Sequence, residues 1–271
     1  MELEEKLENL KNYLKSLKKV AIASSGGVDS TFLLTLSHEV LNDNVIAITI
    51  DSEFQKREEI EFIKKFTQER KIKNFIIKIK ILDDEEIVKN SEKRCYFCKK
   101  RIFSEILNFS HSLGFENILD GTNFDDLSDY RPGLKALKEL KIISPLLELK
   151  FTKDEIRSLA KRFNIPIWNK PPQSCLATRI PYKDKITYEK LKKIEEGETF
   201  LKDLGLSLIR VRILGNFAKI EVLKEELEIV FKNSDKINQK LKEIGFEKVF
   251  VDLNGYNKEK NKNLVKSLKW I

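Results

Sequence analysis

The 271-residue chain predicts an α/β protein, a doubly wound parallel sheet followed by a second, smaller α/β domain. Three observations predict it. Short β-branched runs alternate with helical patterns over the first two thirds, the rhythm of a parallel sheet with helices on both faces. The glycine turn "SSGGVDS" stands between the first such run and the next helix, where open α/β sheets place their ligands. From about Thr187 the order changes to a long helix, two strands, another helix and a last strand, which reads as a unit of its own.

The elements follow in order. Leu3, Leu7, Leu10, Leu14 and Leu17 recur at helical spacing between charges, so the chain opens on an amphipathic helix and not a signal peptide. "KVAIAS" is the first strand, with a helix from about Ser30. "NVIAITI" closes at Asp51 and is followed by the helix "REEIEFIKKFTQER" and the strand "NFIIKIKIL". "ENILDG" is a further strand, and "TKDEIRSLAKRFN" a helix that opens on a Thr cap and closes at Asn164 before Ile165 and Pro166. The Pro-containing "IPYKDK" is the expected linker, beyond which come the helix "TYEKLKKIEEGETFLKDLG" and the strands "LSLIRVRIL", "FAKIEVL" and "KVFVDL". Domains are therefore expected at residues 1–182 and 187–271.

A net charge of +8 favours anionic partners such as nucleotides, phosphorylated metabolites or RNA without choosing among them. Zinc-ribbon cysteine pairs and a basic stripe with interleaved aromatics are missing, which weighs against nucleic acid. No apolar stretch is long enough to cross a bilayer, so a cytoplasmic protein is expected. There, the Cys95-x-x-Cys98 pair with the distant Cys175 points to metal or catalysis rather than a disulfide framework.

In "SSGGVDS", Gly26 and Gly27 let the backbone turn tightly, and the helix start after them presents unpaired N–H groups and a positive dipole end to an anion. Ser24, Ser25 and Ser30 add hydroxyls, and Val28 and Asp29 complete the turn. The Walker loop and the dinucleotide fingerprint are both absent. The stretch instead resembles the SGGxDS signature of the PP-loop ATP pyrophosphatases, whose adenine nucleotide α-hydrolase-like domain cleaves ATP between the α- and β-phosphates and attaches AMP to a substrate oxygen. That resemblance implies that Asp29 helps hold Mg2+ and that Asp51 reaches the ribose or adenine.

A narrower likeness runs along nearly the whole chain. "RCYFCK", "LDGTNFDDLSDYRPG", "SPLLELKFTKDEIRSLAK", "KPPQSCLATRIPY", "RVRILGNFAKIEV" and "GFEKVFVDLNGY" resemble, in order, segments of the LarE family of ATP-dependent sulfur transferases. After "DLNGY" the chain departs from the family's Arg-Ser-Gly-Ser, running on in Lys and Asn. The resemblance implies a pyridinium biscarboxylate mononucleotide as substrate, its carboxylates adenylated and converted to thiocarboxylates for a nickel-pincer cofactor. It places Gly121, Thr122, Asn123 and Asp126 at the nucleotide and Arg131 near the phosphates, and makes Arg210 and Arg212, which share one strand face, substrate ligands. Arg94, Lys99 and Arg179 flank the cysteines and would offset the anions gathered there.

For the cysteines, the resemblance is to a subgroup whose three thiolates hold a [4Fe-4S] cluster with one iron left to bind a sulfide. Zinc is the rival, with a fourth ligand from water or His38; His111 lies about 24 Å down the helix from Cys95 at the usual rise. A redox pair and a Cys175 that surrenders its own sulfur remain alternatives. The expected partners are a nucleotide-like small molecule and further copies of the chain, while the sulfide donor is not written in the sequence. The competing functions are thiolation of a tRNA base and a non-catalytic zinc- or nucleotide-binding module.

Overall fold

Strand β1 (Val20–Ala23) runs through the centre of a parallel sheet, with β2 (Val45–Asp51) and β3 (Lys73–Lys78) on one side and β4 (Asn117–Leu119) on the other, in the order β3-β2-β1-β4. Val20 is in register with both Val45 and Asn117. The computed structural model describes residues 2–128, 132–171 and 173–256. The chain groups into two units, Met1–Ile81 with Lys93–Gln173, and Leu82–Glu92 with Ser174–Ile271.

The first unit takes its core from the sequence periodicities. Leu7, Leu10 and Leu14 are buried on the helix Leu3–Leu17, and Val20, Ala21 and Ile22 on β1. The helix Val28–Leu41 is buried nearly all round, because the helices Leu3–Leu17 and Lys153–Arg162 both pack on it. The Thr152 cap forms as expected, with a full capping box to Glu155. The chain moves from β1 to β2 and β3 on one side, then returns to β4 on the other, so the topological switch lies between β1 and β4. The crevice beyond the carboxyl ends of those two strands is where such a sheet binds ligands.

The second unit carries β5 (Arg210–Leu214), β6 (Phe217–Glu221) and β7 (Val249–Val251), with β5 antiparallel and β7 parallel to β6. Its long helix Tyr188–Asp203 opens on Thr187, whose hydroxyl accepts from Lys190 N at 3.3 Å. "IPYKDK", read above as a linker, is bound into this unit. The Asn90 amide donates to the Ile180, Pro181 and Asp184 carbonyls at 3.3, 2.7 and 3.0 Å, and backbone bonds join Lys183 to Asn90 and Ile186 to Val88. These contacts explain why Leu82–Glu92 groups with the second unit.

Candidate active site

The turn after β1 has a backbone that larger residues do not fit. Gly26 holds φ +75, and a Cβ there would meet the Glu59 carbonyl oxygen at 2.6 Å. Gly27 caps the helix Val28–Leu41. Inside the turn Ser30 Oγ accepts from Ser25 N at 3.3 Å, sits 3.2 Å from Ser25 Oγ and donates to Gly27 O at 3.2 Å. The hydroxyls of Ser25 and Ser30 thus shape the cradle.

The turn after β4 presses on this one at the switch point. A Cβ on Gly121 would stand 2.7 Å from Ser30 N and 2.9 Å from Ser30 Cα, so only glycine allows this approach. Below it, Asp120 is buried and accepts from the Thr122 hydroxyl and from Ser144 Oγ at 2.6 Å, with Lys99 Nζ at 3.7 Å. Asn123 N donates to Asp126 Oδ2 at 3.2 Å.

Asp29 lies between the two turns and pairs through Oδ2 with the Lys153 ammonium. Burial pushes its carboxyl above the ordinary range, with Asp126 adding to the rise and Lys153 and the Asn123 amide pulling the other way. Its Oδ1 is buried and accepts no hydrogen bond; Ser24 Oγ, Asn123 Oδ1, Ser52 Oγ and Gln55 Oε1 are buried without a partner too. Buried polar atoms are almost always satisfied, so several orphans along one strand-end crevice fit a polar ligand with hydroxyl and phosphate oxygens. Asp51, at the end of β2, pairs with Arg57, whose second nitrogen donates to Ser52 O at 2.7 Å.

Cys95 and Cys98 are half-buried on the first turn of the helix Arg94–Ser112, three residues apart and so on one face. Arg94 is buried and directs a nitrogen at Cys95 Sγ, 3.8 Å away. Lys99 follows them and reaches Asp120. Cys175 belongs to the second unit and is exposed. Two thiols on one face suit a soft metal, but among the described residues no three His, Cys, Asp or Glu side chains gather as a metal site. Arg131 lies outside the described residues.

In the second unit Arg179 is fully buried and forks onto Glu198, with Nε and Nη2 at 2.7 and 3.0 Å from its two oxygens. Its Nη1 faces Ser174 O, Ser174 Oγ, Cys175 O and Thr178 Oγ1 at 2.6 to 2.9 Å. Arg212 donates to Glu221 Oε2 at 2.7 Å and to Thr178 O at 2.9 Å. Arg210 is buried with its guanidinium over Tyr256, and burial, with repulsion from Arg179 and Arg212, brings its pKa down to about 10. The two strand arginines therefore share a face as the alternation predicted, among acids that sequence spacing did not foresee.

Sequence reasoning missed Asp120, Lys153, Glu198 and Glu221. Asp120 follows directly on β4, much as Asp51 closes β2, and that position was the available signal. Lys153 and Glu198 carry none, since each reads as one more charge on a charged helix.

A family model described as NAD synthase matches residues 2–200. An uncharacterized protein of Synechocystis sp. is 38% identical over 95% of this chain and 97% of its own. The pyridinium-3,5-bisthiocarboxylic acid mononucleotide synthase of Lactiplantibacillus plantarum is 32% identical over 90% of this chain and 88% of its own. The glutamine-hydrolyzing GMP synthase of Pyrococcus furiosus has a subunit that is 28% identical, over 84% of this chain and 80% of its own.

Proposed function

Since the chain belongs to the NAD synthase family of PP-loop, ATP-dependent enzymes and within it to the LarE family, we propose that it adenylates a carboxylate of a pyridinium biscarboxylate mononucleotide and converts it to a thiocarboxylate. The observation that carries this reading is the crevice at the switch point, with its glycine-only approach and its row of buried, unpartnered oxygens. The likeness to the Lactiplantibacillus synthase supplies the acceptor.

The turn Ser24–Ser30 cradles the triphosphate of ATP, its amides and hydroxyls donating to phosphate oxygens. Asp29 Oδ1 and Asn123 Oδ1, buried without a partner, are hard oxygen donors of the kind that would hold Mg2+. Gly121, Thr122, Asn123, Asp126 and Asp51 border the nucleotide, and the family likeness assigns Arg131 to its phosphates. A carboxylate oxygen of the acceptor attacks the α-phosphorus and pyrophosphate leaves. A sulfur nucleophile then attacks the acyl carbon and AMP departs with the oxygen, leaving the thiocarboxylate. Arg94, Lys99, Arg210 and Arg212 attract the anionic acceptor, the last two through its phosphate.

The sulfur chemistry rests on Cys95, Cys98 and Cys175. By the likeness of the chain to the three-cysteine subgroup, these thiolates would be the ligands of a [4Fe-4S] cluster. Such a cluster would supply an iron without a protein ligand, open to a sulfide.

Two measurements test the reading. Incubated anaerobically with ATP, Mg2+ and pyridinium-3,5-biscarboxylate mononucleotide, the protein should release pyrophosphate and AMP in step with a product carrying sulfur in place of oxygen. No pyrophosphate with that acceptor would overturn the proposal. Iron and acid-labile sulfide should accompany the anaerobically purified protein and be lost from Cys95→Ala, Cys98→Ala and Cys175→Ala. Zinc without iron, or dehydroalanine at position 175 after one turnover, would overturn the cluster alone.

A further inference from the structure

We infer that Arg179 and Glu198 are positioning residues for Cys175, a buried two-residue clamp that fixes the turn from which that thiol is presented. The inference rests on the reading of Cys175 as a sulfur-handling residue, and it reassigns Arg179 from a ligand of substrate anions to a part of the protein's own scaffold.

The geometry is one-sided. Cys175 caps a short 3-10 turn, Leu176–Arg179, and its side chain lies on the solvent side. Arg179, at the end of that turn, sends its guanidinium inward, where it is 1% exposed. All three nitrogens are engaged. Nε and Nη2 take the two oxygens of Glu198, and Nη1 lies within hydrogen-bond distance of the Ser174 and Cys175 carbonyls and of the Ser174 and Thr178 hydroxyls. Those hydroxyls are 2.9 Å apart, and Thr178 Oγ1 donates to Cys175 O at 2.8 Å. The cation thus closes the turn from beneath with contacts on both sides of Cys175.

Glu198 fixes the clamp to the unit's core. It is 2% exposed on the helix Tyr188–Asp203, and its Oε1 also accepts from Val211 N on β5 at 3.1 Å. One carboxylate therefore ties together the cysteine turn, the long helix and the sheet. A guanidinium is the side chain suited to this task. Its planar fork matches the carboxylate with two nitrogens while the third remains for the turn, whereas an ammonium is a single point of charge. Arg212 braces the same turn from the sheet, through Thr178 O at 2.9 Å.

The proposal separates two properties that a general loss of structure would lower together. The turns proposed to hold ATP lie in the first unit, and the clamp in the second. Arg179→Lys and Glu198→Gln should therefore release pyrophosphate from ATP and acceptor within twofold of the unaltered protein, while thiocarboxylate formed per pyrophosphate falls at least tenfold. Hydrogen exchange supplies the second readout. In either variant the Thr178 and Ile180 amides, which bond Cys175 O and Ala177 O, should exchange at least tenfold faster, with the amides of β1 and β2 unchanged.

Cys175→Ala is the control that keeps the two proposals apart. If it transfers sulfur as well as the unaltered protein does, the sulfur reading of Cys175 fails, and the exchange result still decides whether the clamp exists. Unchanged exchange at Thr178 and Ile180 overturns the clamp. Unchanged thiocarboxylate per pyrophosphate in Arg179→Lys, with Cys175→Ala inactive, overturns its role in presentation. If Arg179→Lys does not fold, Glu198→Gln, which keeps the side-chain volume, carries both measurements.

Discussion

Gly121→Ala is the sharpest test of how the nucleotide crevice is built. The added methyl would stand 2.7 Å from Ser30 N, 2.9 Å from Ser30 Cα and 3.1 Å from the Asp29 carbonyl carbon. All three are backbone atoms, so no side-chain rotation relieves the clash. Ordinary contact begins at 3.4 Å, and the two turns must part by about 0.7 Å to reach it. Overpacking of this kind costs about 1–3 kcal/mol of stability. The same displacement moves the amide end of the helix Val28–Leu41 away from Thr122 and Asn123, so ATP should bind at least tenfold more weakly, a loss of about 1.4 kcal/mol. The assay is ATP titration calorimetry beside urea unfolding. Gly215→Ala is the matched control: φ is +58 there, but nothing lies within 4 Å of the added carbon, so it should lose only about 1–2 kcal/mol of backbone strain and no ATP affinity. A Gly121→Ala protein that binds ATP like the unaltered chain would refute the claim that this contact shapes the nucleotide site.

Three further outcomes follow from the same residues. Because burial raises the carboxyl pKa of Asp29 above its unfolded value, its contribution to stability is full below the unfolded pKa and is lost as pH rises through the folded one; the stability gap between the unaltered protein and Asp29→Asn, followed by urea unfolding, should shift across that window in the sense of an unaltered protein weakening toward neutral pH. Lys153→Met removes the cation that holds this carboxyl down, so the acid limb of the pH profile for AMP formation should move upward while AMP formation slows; an unmoved limb would dissociate Lys153 from Asp29 function. Thr187→Ala deletes the cap of the helix Tyr188–Asp203 and should cost about 1 kcal/mol in unfolding of the second unit, with ATP affinity unaltered.

What could be read in advance follows the range of the interactions involved. Periodicity is local, so the leucines of the first helix, the buried run of β2 and the Thr152 cap were all legible before any coordinates. The PP-loop was legible for the same reason, since a glycine turn between strand and helix carries its own geometry. Partnerships across the chain were not. Lys153 meets Asp29 across 124 positions, and Ser144 meets Asp120 across 24, with nothing in either segment to announce the other. Arg179 is the instructive case. Beside a cysteine in a basic chain, an arginine suggests an anion in solution, and only the burial of Glu198, well along the next helix, gives that charge an internal destination. A full ion pair withdrawn from water is costly unless its geometry is good and its remaining donors are used. Here Arg179 meets that condition by placing its spare nitrogen under the one exposed thiol turn of the second unit, and it is this use of the spare nitrogen, rather than the charge, that ties the pair to the Cys175 turn.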